Sequence, residues 1–297
     1  MCGRFSLLQT PEEVEAFFAL EGLEAFPPRY NIAPTQPILV ISAAPPREPG
    51  SNRPDREAHL VRWGLLPSWV KDPKEFPLLI NARGETAATK ASFRAPMRHK
   101  RALIPASGFY EWKRDKASGQ SQAYWVRPAN GGLCAFAGLM ESWMAAEGSE
   151  LDSAAIITAA STPDISFVHD RMPVVIQPED FSRWLDCRTQ EPRDVADLLK
   201  GAPEGYFEMI PVSDKVNKVA NTTPDVQDRV EPKPFVSGKD DKWSASQVGN
   251  LTYCVSTKFG SDYSAMVSAM ASGAGQWEAA SSAIDFVHVP NQDSSCN

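Results

Sequence analysis

The apolar positions of this chain change period along its length. Thr10-Pro11-Glu12-Glu13 supplies an N-cap, a proline at the first helical position and a capping box. Val14, Phe17 and Phe18 recur at helical spacing towards Leu20, and Pro27-Pro28 closes the segment. From Ile38 the pattern becomes that of strands. Ile38-Leu39-Val40-Ile41 is a short apolar run, and a Pro-, Arg- and Glu-rich loop over 44–57 follows it. Further β-like runs occupy 60–63, 101–104, 122–126, 133–139 and 154–158. Long helices do not separate them. The spacing therefore predicts an α+β fold with a curved, mostly antiparallel sheet or open β-barrel-like core and peripheral helices. Helices are expected at 178–185 and 193–199, and a closing strand at 207–212. Beyond Asp228 the pattern breaks, which sets a first domain at 1–230. Residues 231–243 read as a linker, and 244–297 as a tail with a helical pattern over 263–277 and a strand over 284–289.

Composition sets bounds on this picture. The chain has 297 residues, 42% hydrophobic and 23% charged, which are globular values with room for one large or two ordinary domains. A net charge of −7 argues against broad wrapping of nucleic acid. Within 81–101, however, lie Arg83, Lys90, Arg94, Arg98, Lys100 and Arg101 against one acid, Glu85. That stripe reads either as a phosphate-binding surface or as a solvated face. No apolar run approaches the ~20 residues that span a bilayer, and no secretory pattern opens the chain, so a cytoplasmic protein is expected. The five cysteines form no CxxC and the four histidines no HExxH. Neither a metal nor a cofactor is expected.

Cys2 changes the picture most. Removal of Met1 would leave a 1,2-aminothiol whose amine (pKa ~7.7–8.0) and thiol (~8.5) are both partly nucleophilic at neutral pH. Such a pair can attack one aldehyde twice, forming a Schiff base and then a thiazolidine; an internal cysteine cannot. His169, beside Asp170 and Arg171, is the residue type suited to proton transfer near neutrality. Glu111 stands between Tyr110 and Trp112, where aromatic neighbours can desolvate a carboxyl and favour its protonated form. Asn81 offers an amide to both substrate oxygen and Cys2 amine. Arg4 and Arg83 are permanently charged and suited to bidentate phosphate contacts. Trp63, Leu65, Pro67 and Trp69 form an apolar group that reads as core or as a platform for bases.

Six segments carry a resemblance. They are Met1-Cys2-Gly3-Arg4-Phe5, Arg29-Tyr30-Asn31-Ile32-Ala33-Pro34, the run from Arg62 to Trp69, the run from Ile80 to Thr86, Gly108-Phe109-Tyr110-Glu111-Trp112-Lys113, and the run from Phe167 to Pro173. In this order, over residues 2 to about 228, they resemble the SOS-response-associated peptidase (SRAP) family. The resemblance implies a protein that removes its own Met1, recognises abasic sites in single-stranded DNA and crosslinks to them through Cys2. By it Cys2, Asn81, Glu111 and His169 are catalytic. Arg4, Arg83, Trp63, Trp69, Thr158 and Asn221 contact DNA. It implies single-stranded DNA as partner, and a monomer associated with the nucleoid when DNA is bound; no membrane is expected. Gly84, where the family often has a bulkier residue, is expected to loosen its strand. The tail from Trp243 resembles the opening strand, first helix and second strand of a metzincin-type secreted protease without an HExxH, so neither zinc nor metalloprotease activity is expected. Two further readings stay open: a general cysteine peptidase using Cys2 and His169, and a noncatalytic single-strand binder using the basic stripe and tryptophans.

Overall fold

A computed structural model describes residues 2–48, 50–114, 119–233, 251–280, 286–290 and 293. The chain divides into two compact units, Met1–Pro234 and Phe235–Asn297.

The first unit is built on two sheets. One is wholly antiparallel, with β13 (Phe207–Val212), β8 (Ser121–Pro128), β7 (Gly108–Arg114), β1 (Phe5–Leu7) and β2 (Arg29–Ile32) in that order. In the other, β10 (Glu150–Ala160), β4 (Arg56–Trp63), β3 (Pro37–Ala43), β6 (Arg101–Ala106) and β9 (Cys134–Met144) pair in sequence, and β9 pairs back to β10. The ring is closed. β5 (Asn81–Arg83) and β11 (Arg171–Pro173) extend it from β10, and β12 (Val175–Ile176) from β9. The fold of this unit is thus α+β around a barrel-like core, mostly antiparallel, with β10 pairing in parallel with β4 and β5.

Closure depends on strands longer than their apolar runs. β9 and β10 continue through Glu141, Ser142, Asp152 and Ser153, polar positions that interrupt the pattern and hide the strand ends. Each is satisfied in place. Lys100 Nζ donates to Glu141 Oε1 at 3.0 Å, Ser142 Oγ to Asp152 Oδ1 at 2.6 Å, and Leu66 N to Ser153 Oγ at 2.9 Å. The extra length lets Ser153–Ala154 pair with β4 while Ile156–Thr158 pairs with β5.

The expected helix is α1 (Pro11–Phe18). Glu13 N donates to Thr10 Oγ1 and Thr10 N to Glu13 Oε2, and the helix stops at left-handed Ala19. The helix expected at 178–185 is a 3-10 turn, Pro178–Asp180, followed by the α-helix Phe181–Leu185. That expected at 193–199 is the 3-10 helix Pro192–Leu198.

Four rings join the sheets. Phe5 of β1 meets Trp63 of β4 edge-on at 5.1 Å and Phe136 of β9 at 6.3 Å, and Phe136 meets Phe109 of β7 at 6.1 Å. Such pairs add about 0.5–1.5 kcal/mol each beyond burial, so they pin the N-terminal strand at the seam. Cys2 is carried there with it.

The chain stays fastened past 230. Lys233 N donates to Gln122 Oε1 at 3.0 Å and its Nζ reaches Ser121 O and Asp214 at 2.9 and 2.7 Å, so Lys233, within the linker expected over 231–243, is tied to the first unit. Residues 234–243 of that linker lie outside the described residues. In the second unit, β14 (Leu251–Tyr253) pairs in parallel with β15 (Phe286–His288), and one long helix spans Tyr263–Ala280. Positions 284–285 of the expected strand lie outside the described residues. Among the described residues no helix is long and apolar enough to cross a membrane.

Candidate functional site

The site grows from the pairing of β1 with β7. Phe5 stands opposite Phe109, and Tyr110 N donates to Arg4 O at 2.9 Å, so the register brings Gly3 opposite Glu111. Gly108 opens β7 because a Cβ there would lie 2.6 Å from Val126 O. From the other sheet, Asn81 at the start of β5 donates from Nδ2 to Cys2 O at 2.8 Å. Cys2 itself is 0% exposed and its Sγ lies 3.8 Å from Arg4 O. Burial pushes the thiol pKa far up, and the charge of Glu111 adds to the shift. The sulfur is therefore held protonated at neutral pH.

Next along the chain from Cys2, Gly3 and Arg4 line an open cleft of about 970 Å³ whose walls also include Glu111, Trp112, Arg114, Val168, His169 and Asn217. Glu111 is 3% exposed, on the strand that also carries Trp112 and Arg114. Trp112 Nε1 donates to Asn217 Oδ1 at 2.7 Å. Arg4 Nη1 donates to Asn31 Oδ1 at 2.8 Å and Val216 O at 2.7 Å, and burial lowers its pKa without threatening its charge. Asn31 in turn donates from Nδ2 to Val216 O, Lys218 O and Asn221 O at 3.3, 3.1 and 2.8 Å. This buried asparagine ties Arg4 to the 214–221 loop that forms one wall.

His169 lies between the short α-helix Pro163–Ser166 and β11. Its carbonyl accepts from Ser161 Oγ at 2.7 Å, and its Nδ1 accepts from Arg171 N at 3.0 Å. Arg171 forms a bidentate pair with Glu85 at 2.6 and 2.9 Å and also reaches Thr158 O and Oγ1. The hydrogen bonds from Arg171 hold the Glu85 carboxyl below its usual pKa range.

The structure brings Cys2, Arg4, Asn81, Glu111 and His169 together and separates others. Trp63 is a core residue, fully buried, with Nε1 donating to Ile80 O at 3.0 Å; no base can stack on it in this packing. Trp69 is 57% exposed, edge-on to Phe76 on the 64–80 loop. Thr158 is also fully buried, its hydroxyl 3.4 Å from Ala82 O, so it does not face the cleft. Asn221 fastens a loop by donating to Lys215 O at 2.7 Å. The basic stripe breaks up. Arg101 is 1% exposed, Lys100 pairs with Glu141 and Arg98 with Glu191, while Arg83, Lys90 and Arg94 are exposed. Gly84 does not loosen a strand: it is buried and begins the helix Gly84–Ala87, where a Cβ would meet Leu199 at 3.3 Å. Asn31 and Arg171 lie within the six segments, yet their organising contacts reach partners up to 190 residues away. The only sequence signal for Asn31 was a lone amide between Tyr30 and Ile32. Among the described residues no cluster of three or more His, Cys, Asp or Glu could hold a metal. A second cavity, about 560 Å³ between the end of α1 and β4, contains none of these residues.

Fold and site define a protein whose own N-terminal residues Gly3 and Arg4 line its cleft, with a buried second-position cysteine beside them. The family model described as SOS response associated peptidase (SRAP) matches residues 1–219, and the chain belongs to that family. It is 38% identical over 232 residues to the abasic site processing protein YoqW of Bacillus subtilis (strain 168), covering 76% of this chain and 98% of that one. To the abasic site processing protein YedK of Escherichia coli (strain K12) it is 33% identical over 234 residues, covering 74% and 96%. To the abasic site processing protein HMCES of Rattus norvegicus it is 30% identical, covering 74% and 69%. A crystal structure of a Bacteroides thetaiotaomicron protein shares the fold, with TM-score 0.67 and 21% identity over 77% of this chain and all of that one.

Proposed function

We propose that this protein processes abasic sites by binding single-stranded DNA and forming a thiazolidine crosslink through Cys2 after Met1 has been removed. The observation that carries the reading is Cys2 itself: a buried second-position cysteine whose carbonyl accepts from the Asn81 amide and whose thiol feels the charge of Glu111, next in the chain to Gly3 and Arg4, which line a cleft with Glu111 and His169. The names of the curated relatives support abasic sites as the substrate.

Cleavage of the Met1–Cys2 bond consumes one water and frees the amine. In the closed deoxyribose, protonation of O4′ by His169 and loss of the O1′ proton to Glu111 break the C1′–O4′ bond and expose the aldehyde. The Cys2 amine adds to C1′, and Glu111 returns a proton to the departing hydroxyl. One water leaves and a Schiff base remains, its cationic form favoured by the carboxylate. Glu111 then takes the thiol proton as Sγ closes the ring on C1′. Two bonds, C1′–N and C1′–S, have formed for one water lost. Arg4 and the exposed Arg83 hold flanking phosphates. A general cysteine peptidase would need an ionised thiol, and the burial and charge around Cys2 work against one.

Incubation with single-stranded DNA containing one abasic site, followed by denaturing electrophoresis, tests the reading. Wild type is expected to give a heat-stable adduct and Cys2→Ala none. An undiminished adduct from Cys2→Ala would assign the chemistry elsewhere.

A further inference from the structure

Two contacts compete for one nitrogen of His169. Nδ1 lies 3.0 Å from the Arg171 backbone N, which donates to it, and 3.0 Å from Asp170 Oδ1. No single protonation state satisfies both. An Nδ1 that accepts an N–H has its lone pair occupied and no proton for a carboxylate. The neutral ring that accepts from Arg171 carries its proton on Nε2. The charged ring carries a proton on each nitrogen and offers Nδ1–H to Asp170.

The two partners differ in how firmly they are held. Arg171 is opposite Ala160 in the β10–β11 ladder, and its side chain is tied to Glu85 and Thr158, so its amide is a fixed donor. The Asp170 side chain is 88% exposed and can exchange partners, although its carbonyl is held by Ser161 N at 3.0 Å. Other charged groups on the cleft walls are Arg4, Glu111 and Arg114, and Lys113 lies over the Phe167 ring at 5.3 Å.

We propose that Asp170 is a positioning residue for His169, exchanging with the Arg171 amide at Nδ1 and so setting which nitrogen bears the proton. The proposal rests on the reading of His169 as the acid of ring opening. At rest the neutral ring is locked with its proton on Nε2, a form that cannot accept a proton there and is far too weak an acid to give one. On protonation Nδ1–H swings to Asp170, and the charged ring delivers its Nε2 proton to O4′. The ring left behind is neutral with Nδ1–H still on Asp170, and exchange with water returns it to rest.

The test is 15N NMR of the histidine side chains in the full DNA-free chain, with the His169 signals assigned by loss in His169→Gln. In neutral wild type, Nδ1 is expected in the unprotonated range and Nε2 in the protonated range. Asp170→Asn should keep that resting pattern and bind single-stranded DNA no more weakly. Its crosslinking rate should fall about two- to fivefold, the range of an exposed ion pair. Asp170→Glu should restore most of the rate. Protonated Nδ1 in the neutral wild-type ring, or an unchanged rate in Asp170→Asn, overturns the inference. A wild-type chain that forms no adduct with abasic DNA overturns instead the function proposed above, since the ring is read without DNA.

Discussion

Arg83 and Arg101 lie in the same basic stripe, and their replacement should have opposite consequences. Arg101 Nε donates to Trp184 O at 2.7 Å, Nη1 to Met97 O at 2.9 Å, and Nη2 to Asp186 O and Gln190 O at 2.8 and 2.9 Å. One guanidinium thus closes the ends of two segments around β6. Arg101→Met keeps much of the stem volume but strands four carbonyls. Two of those bonds are fully buried and two are partly open to rehydration. At about 1–3 kcal/mol for each buried group left unmade, and less for the others, the loss should reach roughly 3–5 kcal/mol. With a urea slope of about 2–3 kcal/mol/M, the midpoint should fall by about 1–2.5 M. Arg83 is exposed and its side chain makes no cap hydrogen bond at the start of the helix Gly84–Ala87, so Arg83→Ala should change stability by less than about 0.5 kcal/mol. It should instead flatten the salt dependence of single-stranded DNA binding by about 0.7 in the log–log slope for each phosphate lost. Urea melts and salt titrations of the two variants decide the matter. A stable Arg101→Met with a flattened slope would place Arg101 on the DNA surface instead.

Glu111→Gln and His169→Ala should each slow crosslinking by about 10²–10⁴-fold while the folded far-UV spectrum is retained, and unchanged rates in both would leave only a binding role. The buried Cys2 and Cys134 thiols both have raised pKa values from desolvation, so the folded state keeps protons that the unfolded chain loses above about pH 8.5. Their contribution is fully present below that pH and lost as it rises, by about 2 kcal/mol per thiol between pH 8 and 10. A urea midpoint that stays flat over that range would contradict their burial. A chain ending at Pro234 keeps the Lys233 contacts and every assigned residue, and should crosslink as fast as the full chain; a folded but inactive product would show that the tail contributes to the site.

What was legible in the sequence was what depends on neighbours in sequence. The Thr10 capping box needs only four residues, and α1 forms where they predict it. Cys2 was legible because its chemistry follows from its position in the chain. Side-chain fate at long range was not. Trp63 and Trp69 share one apolar segment, yet the first faces Phe5 across the seam and the second faces solvent, a difference set by the inward end of β4. Arg101 looks like its basic neighbours until the carbonyls of 184–190 are folded against it. Ring closure was hidden for the same reason, because the polar ends of β9 and β10 are satisfied by partners such as Lys100 that no local pattern announces.

Reaction of Cys2 through both amine and thiol fixes the mass of the adduct. Purified protein is incubated with a single-stranded oligonucleotide bearing one abasic site and measured intact. The predicted species is the chain without Met1 plus the oligonucleotide minus one water, absent from Cys2→Ala and surviving heat without borohydride. An adduct that retains Met1, or one that forms equally in Cys2→Ala, would show that the crosslink does not form through a freed Cys2 amine and thiol.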